Sequence, residues 1–96
     1  MHQCHARECL KVIREIGVTK YWTGDAYVWD VPTLDENGCR DSIYFSSEVT
    51  SQAYIHAFEA VVIAQAAAIT PSQKVIEELE RLGCEAFWKR YHADAD

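Results

Sequence analysis

The sequence predicts an α+β fold: an N-terminal helix, a two- or three-stranded antiparallel sheet, a long central helix and one or two C-terminal helices. Three observations carry that prediction. Apolar residues recur at helical spacing near the N-terminus; β-branched and aromatic residues then gather around an Asn37-Gly38 turn signal; and a long alanine-rich apolar run follows from about residue 51. At 96 residues the chain suits a single compact domain, 1–96.

Within 3–16, Ala6, Cys9, Leu10, Ile13 and Ile16 share one face of a helix, while Arg7, Lys11, Arg14 and Glu15 occupy the rest of the wheel. Gly17 supplies the left-handed residue that ends such a helix, with Val18 folding back on the last turn. Next come Tyr21 and Trp22, then Tyr27, Val28, Trp29 and Val31, then Ile43, Tyr44 and Phe45, residue types that suit a pleated surface. Asn37-Gly38 predicts a type I′ hairpin pairing 26–34 with 39–46, and Thr23-Gly24-Asp25 predicts a further turn that adds 19–22 as a third strand. Pro32 lacks an amide donor and belongs at an edge or bulge, while Asp30 and Asp41 break the apolar pattern and are expected to face solvent.

The central helix is expected over 51–69, capped by Thr50 and stapled by Val49 onto Tyr54. Gln52, His56 and Glu59 form only a narrow polar stripe, so most of its circumference calls for burial. Ala57, Ala60, Ala64 and Ala67 make a small-residue stripe suited to close approach by another element, either inside the domain or across a homodimer. Thr70-Pro71-Ser72-Gln73 reads as a capping box opening a last helix with Val75, Ile76, Leu79 and Leu82 inward. Gly83 is expected to end or bend it, with Cys84, Phe87, Trp88 and Tyr91 continuing as a short helical turn or a small additional helix.

Charge is distributed unevenly. Residues 21–73 carry seven carboxylates against Arg40 alone, and so hold the equivalent of the whole net charge of −6. Eight of the eleven aromatic residues lie in the same stretch, which suits a surface for a cationic partner. A net negative chain repels phosphate backbones, so direct nucleic-acid binding is not expected. Residues 1–20 lack a signal-peptide pattern and the run 53–69 is too short and polar for a membrane span, so a cytoplasmic protein with reduced thiols is expected.

Signatures of catalysis are weak. Cys4, His5 and Cys9, near His2, are the best metal-ligand types, but Cys39 and Cys84 stand alone rather than as a second close pair, so no metal or other cofactor is expected. His56 and Glu59 lie one turn apart, as a base and its orienting carboxylate would, yet no nucleophile motif or phosphate loop accompanies them. Cys39 beside Arg40 lacks a visible base. The expectation is therefore a non-enzymatic protein that presents an acidic, aromatic surface to a basic site on another protein, with Asp25, Trp29, Asp30, Asp35, Glu36, Asp41, Tyr44 and Glu48 as candidate contacts and Trp22 as a further anchor. A homo-oligomeric regulatory or antitoxin-like module joined through the alanine stripe is the alternative.

In size, charge and predicted architecture the chain resembles the small acidic inhibitors made by phages and mobile elements, such as anti-CRISPR proteins, several of which block a nucleic-acid site on their target. That resemblance implies an inhibitor of a basic protein site, with Asp25, Asp30, Asp35, Glu36 and Asp41 as first candidates for contact.

Overall fold

The computed structural model describes residues 3–86 and has the predicted α+β composition. Its elements are α1 (Gln3–Ile16), β1 (Thr19–Trp22), β2 (Tyr27–Leu34), β3 (Arg40–Phe45), α2 (Glu48–Ala66) and α3 (Gln73–Glu85). The strands form one antiparallel sheet in the order β1-β2-β3, so residues 19–22 do make the third strand. Among the described residues a single helix follows α2, and the turn expected around 84–91 lies largely outside them.

Register divides the sheet into two faces. Trp29 pairs with Phe45 and Val31 with Ile43, so these four project to the same side, where they meet Ile13 of α1 and Tyr54, Ile55 and Phe58 of α2. Val31 and Phe45 are completely buried there. A smaller cluster of Ala6, Leu10 and Val62, with Phe58 against it, fastens α1 to α2. Phe58 touches both clusters and joins the helix pair to the sheet. Gly17, at φ 81, ends α1 as its sequence position implies, its amide donating to Ile13 O at 2.8 Å.

Pro32 lies on the middle strand, yet its surroundings still satisfy the edge requirement. Pairing with β1 stops at Asp30, so over 31–34 strand β2 has β3 as its single strand neighbour. The Asn37-Gly38 turn differs from the type I′ expectation. Gly38 has φ 84 but Asn37 does not share positive φ; Gly38 N donates to Asp35 O at 3.0 Å and Asp35 N to Cys39 O at 2.9 Å, giving a three-residue loop with glycine at the left-handed position.

Both later helices start at different caps from those expected. Ser47, in extended conformation, accepts from Thr50 N at 3.1 Å and caps α2, while the Thr50 hydroxyl points back to Ser47 O. Val49 is 78% exposed and staples nothing. Likewise Ser72 rather than Thr70 caps α3, accepting from Val75 N at 3.2 Å, so Pro71 precedes the helix. Gly83 neither ends nor breaks α3; it faces the Tyr54 ring, which a Cβ at this position would meet at 3.8 Å, an ordinary packing distance.

Helix α2 stops at Ala66 without a glycine. Ala68 adopts φ 58, its amide bonds to Gln65 O, and Ile69 N reaches back to Ala64 O at 2.8 Å, the hydrogen-bond pattern of a Schellman cap built on alanine. The expected burial of most of α2 is only partly realised. Ser51, Ala57 and Val62 are buried, whereas Ile63 in the last turn is 59% exposed, because α1, the sheet and α3 cover three sides and leave a strip open.

Candidate functional site

The acidic residues that are contiguous in sequence separate in space. The β1–β2 turn carries Asp25 and lies at one end of the sheet, together with the start of α2 and Glu48, because β3 runs back toward that end before α2 begins. The β2–β3 turn carries Asp35 and Glu36 at the other end. Eight residues of β2 separate the two turns, a span of about 26 Å at roughly 3.3 Å per residue.

Asp25, Glu36 and Glu48 are exposed. Asp35 is already engaged: its Oδ1 accepts from Asn37 N and Cys39 N, both at 2.9 Å, so it holds the turn. Asp41 is not at the surface. It is 2% exposed, its Oδ1 accepting from Ser42 N at 2.8 Å and its Oδ2 lacking a hydrogen-bond partner. The expectation that Asp30 and Asp41 face solvent fails: strand alternation turns Asp41 to the side of Val31, Ile43 and Phe45, while Asp30, on the other side, is half-buried with its Oδ1 buried and unpartnered. Asp30 pairs with Tyr44 and Asp41 with Thr33, which puts the two carboxylates on opposite faces of the sheet. Tyr44 is 3% exposed and meets Tyr21 edge-on with a hydroxyl–hydroxyl bond, so it too is interior.

Aromatic surface concentrates at the β1–β2 end. Trp22 and Tyr27 pair across the strands, ring centroids 5.1 Å apart and planes inclined at 64° in an edge contact, and they are 56% and 51% exposed. Lys20 Nζ lies 4.3 Å from the Tyr27 ring centroid and 5.5 Å from that of the half-buried Trp29. Lys20, Trp22, Tyr27 and Trp29 share the face that carries the core farther along, so the sheet extends past its helical cover and its last aromatics stay wet. Tyr27 and Lys20 were absent from the sequence-derived candidates; the two-residue alternation of β1 against β2 is the signal that groups them with Trp22.

Other candidates disperse. The Glu59 carboxylate accepts from Arg14 at 2.6 Å, so that ion pair, rather than His56, engages it. Cys9 is buried with Sγ 3.9 Å from Leu34 O, while Cys39 and Cys84 are exposed free thiols. Among the described residues no three His, Cys, Asp or Glu side chains gather as a metal would require. The alanine stripe is split: Ala57 is buried within the chain, Ala64 half-buried, and Ala60 and Ala67 exposed. Tyr54, packed between Phe45 and Phe58, has its phenol pushed above the ordinary value by burial, with repulsion from Cys9 adding to it.

Comparison with protein families, curated proteins and solved structures finds no match to this chain. Among the described residues no helix is long and apolar enough to cross a membrane.

Proposed function

We propose that this chain is a non-enzymatic binding protein that occupies a basic site on a target protein, in the manner of the small acidic phage inhibitors it resembles, and that the β1–β2 end of the sheet makes the contact. The exposed Trp22–Tyr27 pair carries this reading. Leaving two large rings in water forgoes hydrophobic stabilisation, and aromatic side chains of this kind are the usual anchors of interfaces. Asp25 on the adjoining turn and Glu48 in the first turn of α2 outnumber Lys20, which lies over the Tyr27 ring, and give the same end a net negative sign. Such charges steer a basic partner and set its orientation more than they set affinity. The contact set accordingly narrows to Trp22, Asp25, Tyr27 and Glu48, with Trp29 at its inner border; Glu36 lies at the far end, and Asp41 and Tyr44 act from inside the fold.

Immobilised protein should retain a basic target from an extract of the native host. Trp22→Ala with Tyr27→Ala should weaken that retained complex by about thirtyfold or more, as expected for hot-spot rings. Asp25→Lys with Glu48→Lys should chiefly slow association and flatten its salt dependence. An identical set of retained proteins with both double variants, or retention that depends on nucleic acid, would refute the reading.

A further inference from the structure

We infer that the groove between α1 and α2 is a second docking site, opposite in sign to the first, and that its occupant is an acidic amphipathic helix of a partner protein. Leu10, Val62, Ile63 and Ala66 form an apolar floor in a groove of about 260 Å³, and Arg7, Lys11 and Arg14 line it, with Glu15 the single acid. Three of the chain's nine Lys and Arg residues thus stand at i, i+4 and i+7 along one helix of a protein whose net charge is −6. Arg14 ties the walls together through Glu59 at 2.6 Å. Arg7 and Lys11 are exposed and form no ion pair among the described residues. At the mouth stands Ile63, in the last turn of α2 and 59% exposed.

An apolar floor with one basic wall, supplied by α1, selects an amphiphile bearing negative charge. Spacing selects which kind. Arg7 and Lys11 lie one helical turn apart, and Arg7 to Arg14 extends about 10 Å at 1.5 Å per residue. Carboxylates one turn apart on a docking helix meet successive bases while its apolar residues enter the floor, whereas a single-headed anion such as a fatty acid engages one base and leaves the others unanswered. A second copy of this chain is a poor source. Its own acidic helix, α3, carries Glu77, Glu78 and Glu80 but already packs against α2 and buries Leu82, so its apolar side is taken.

The test is a titration of isotope-labelled full-length protein with a synthetic peptide of about four helical turns, carrying leucines at i, i+4 and i+7 and glutamates along both flanks. Amide shifts should cluster at Leu10, Lys11, Val62, Ile63 and Ala66. Arg7→Glu with Lys11→Glu should weaken the peptide about tenfold and transfer preference to a lysine-flanked version. Ile63→Ser should weaken both peptides alike. Both bases are exposed, so the double variant should keep its spectral dispersion; if it does not, Lys11→Glu alone carries the same comparison. Shifts centred outside the groove, equal affinity for a scrambled peptide that cannot place its leucines on one face, tighter engagement of the same residues by dodecanoate, or the same shifts appearing with protein concentration alone would each overturn the inference. Because the β1–β2 variants leave this groove untouched, its failure and that of the acidic-end reading are separately visible.

Discussion

Replacing Phe45 and Trp22 by alanine, each alone, tests whether the aromatics of the sheet divide into core and contact surface. Phe45 is fully buried, opposite Trp29 and 5.2 Å from the Tyr54 ring centroid. Removing such a ring forfeits its transfer energy and leaves a cavity, together about 3–5 kcal/mol. Unfolding a chain of 96 residues carries an entropy near 0.2 kcal/mol/K at roughly 2.1 cal/mol/K per residue, so Phe45→Ala should lower Tm by about 15–25 °C. Trp22 is 56% exposed, so under half of its surface is withdrawn from water. At about 25 cal/mol per Å² over roughly 100 Å², less what alanine and the unfolded chain retain, Trp22→Ala should cost about 1–2 kcal/mol, or 5–10 °C. Urea and thermal unfolding followed by circular dichroism measure both. Equal losses for the two variants, or a loss below about 1 kcal/mol for Phe45→Ala, would refute the division and remove the support for Trp22 as an anchor.

Two further outcomes are expected. Ala68→Gly should stabilise the protein by about 0.5–1 kcal/mol, because alanine at φ 58 pays a steric cost near 1–2 kcal/mol that exceeds the added freedom of glycine in the unfolded chain; a lowered urea midpoint would contradict this. Tyr54→Phe should change how stability depends on alkaline pH. The native phenol titrates above its ordinary value of 10.0, so the neutral form's contribution is fully present below pH 10 and is lost as pH rises through the higher native value. Relative to Tyr54→Phe, the wild type should therefore weaken progressively above pH 10, and parallel urea midpoints of the two proteins from pH 8 to 11 would contradict the assignment.

What the sequence disclosed was mostly local. The α1 face, Gly17 and the three strands follow from periodicity and turn residues within a few positions of each other. The caps were less legible. Ser47 and Thr50 are both capable hydroxyl caps, and the choice depends on β3 ending at Phe45, which is set by its pairing with Trp29. Nothing in an alanine-rich run marks Ala68 as the residue that turns left-handed. Asp41 was misplaced because carboxylates normally seek water, and its burial comes from strand alternation together with a bond to the next amide. Site residues suffered most, since exposure is tertiary. Whether Trp22 and Tyr27 stay wet depends on how far the helices reach over the sheet, and the groove needs α2 to bring Val62, Ile63 and Ala66 beside the bases of α1.

The buried Asp41 also bears on how this sheet meets other chains. Its strand β3 is an outer strand, where unpaired backbone groups invite further strands and, at high concentration, fibrous stacking. An inward-turned carboxylate that has claimed the Ser42 amide at 2.8 Å makes a poor template for such growth. Pro32 removes an amide donor from β2 where β1 no longer shields it, and β1 itself is four residues long with Lys20 within it. Both borders of the sheet therefore carry features that disfavour backbone pairing, and the burial of Asp41 sets some stability of the single chain against strand-to-strand misassembly.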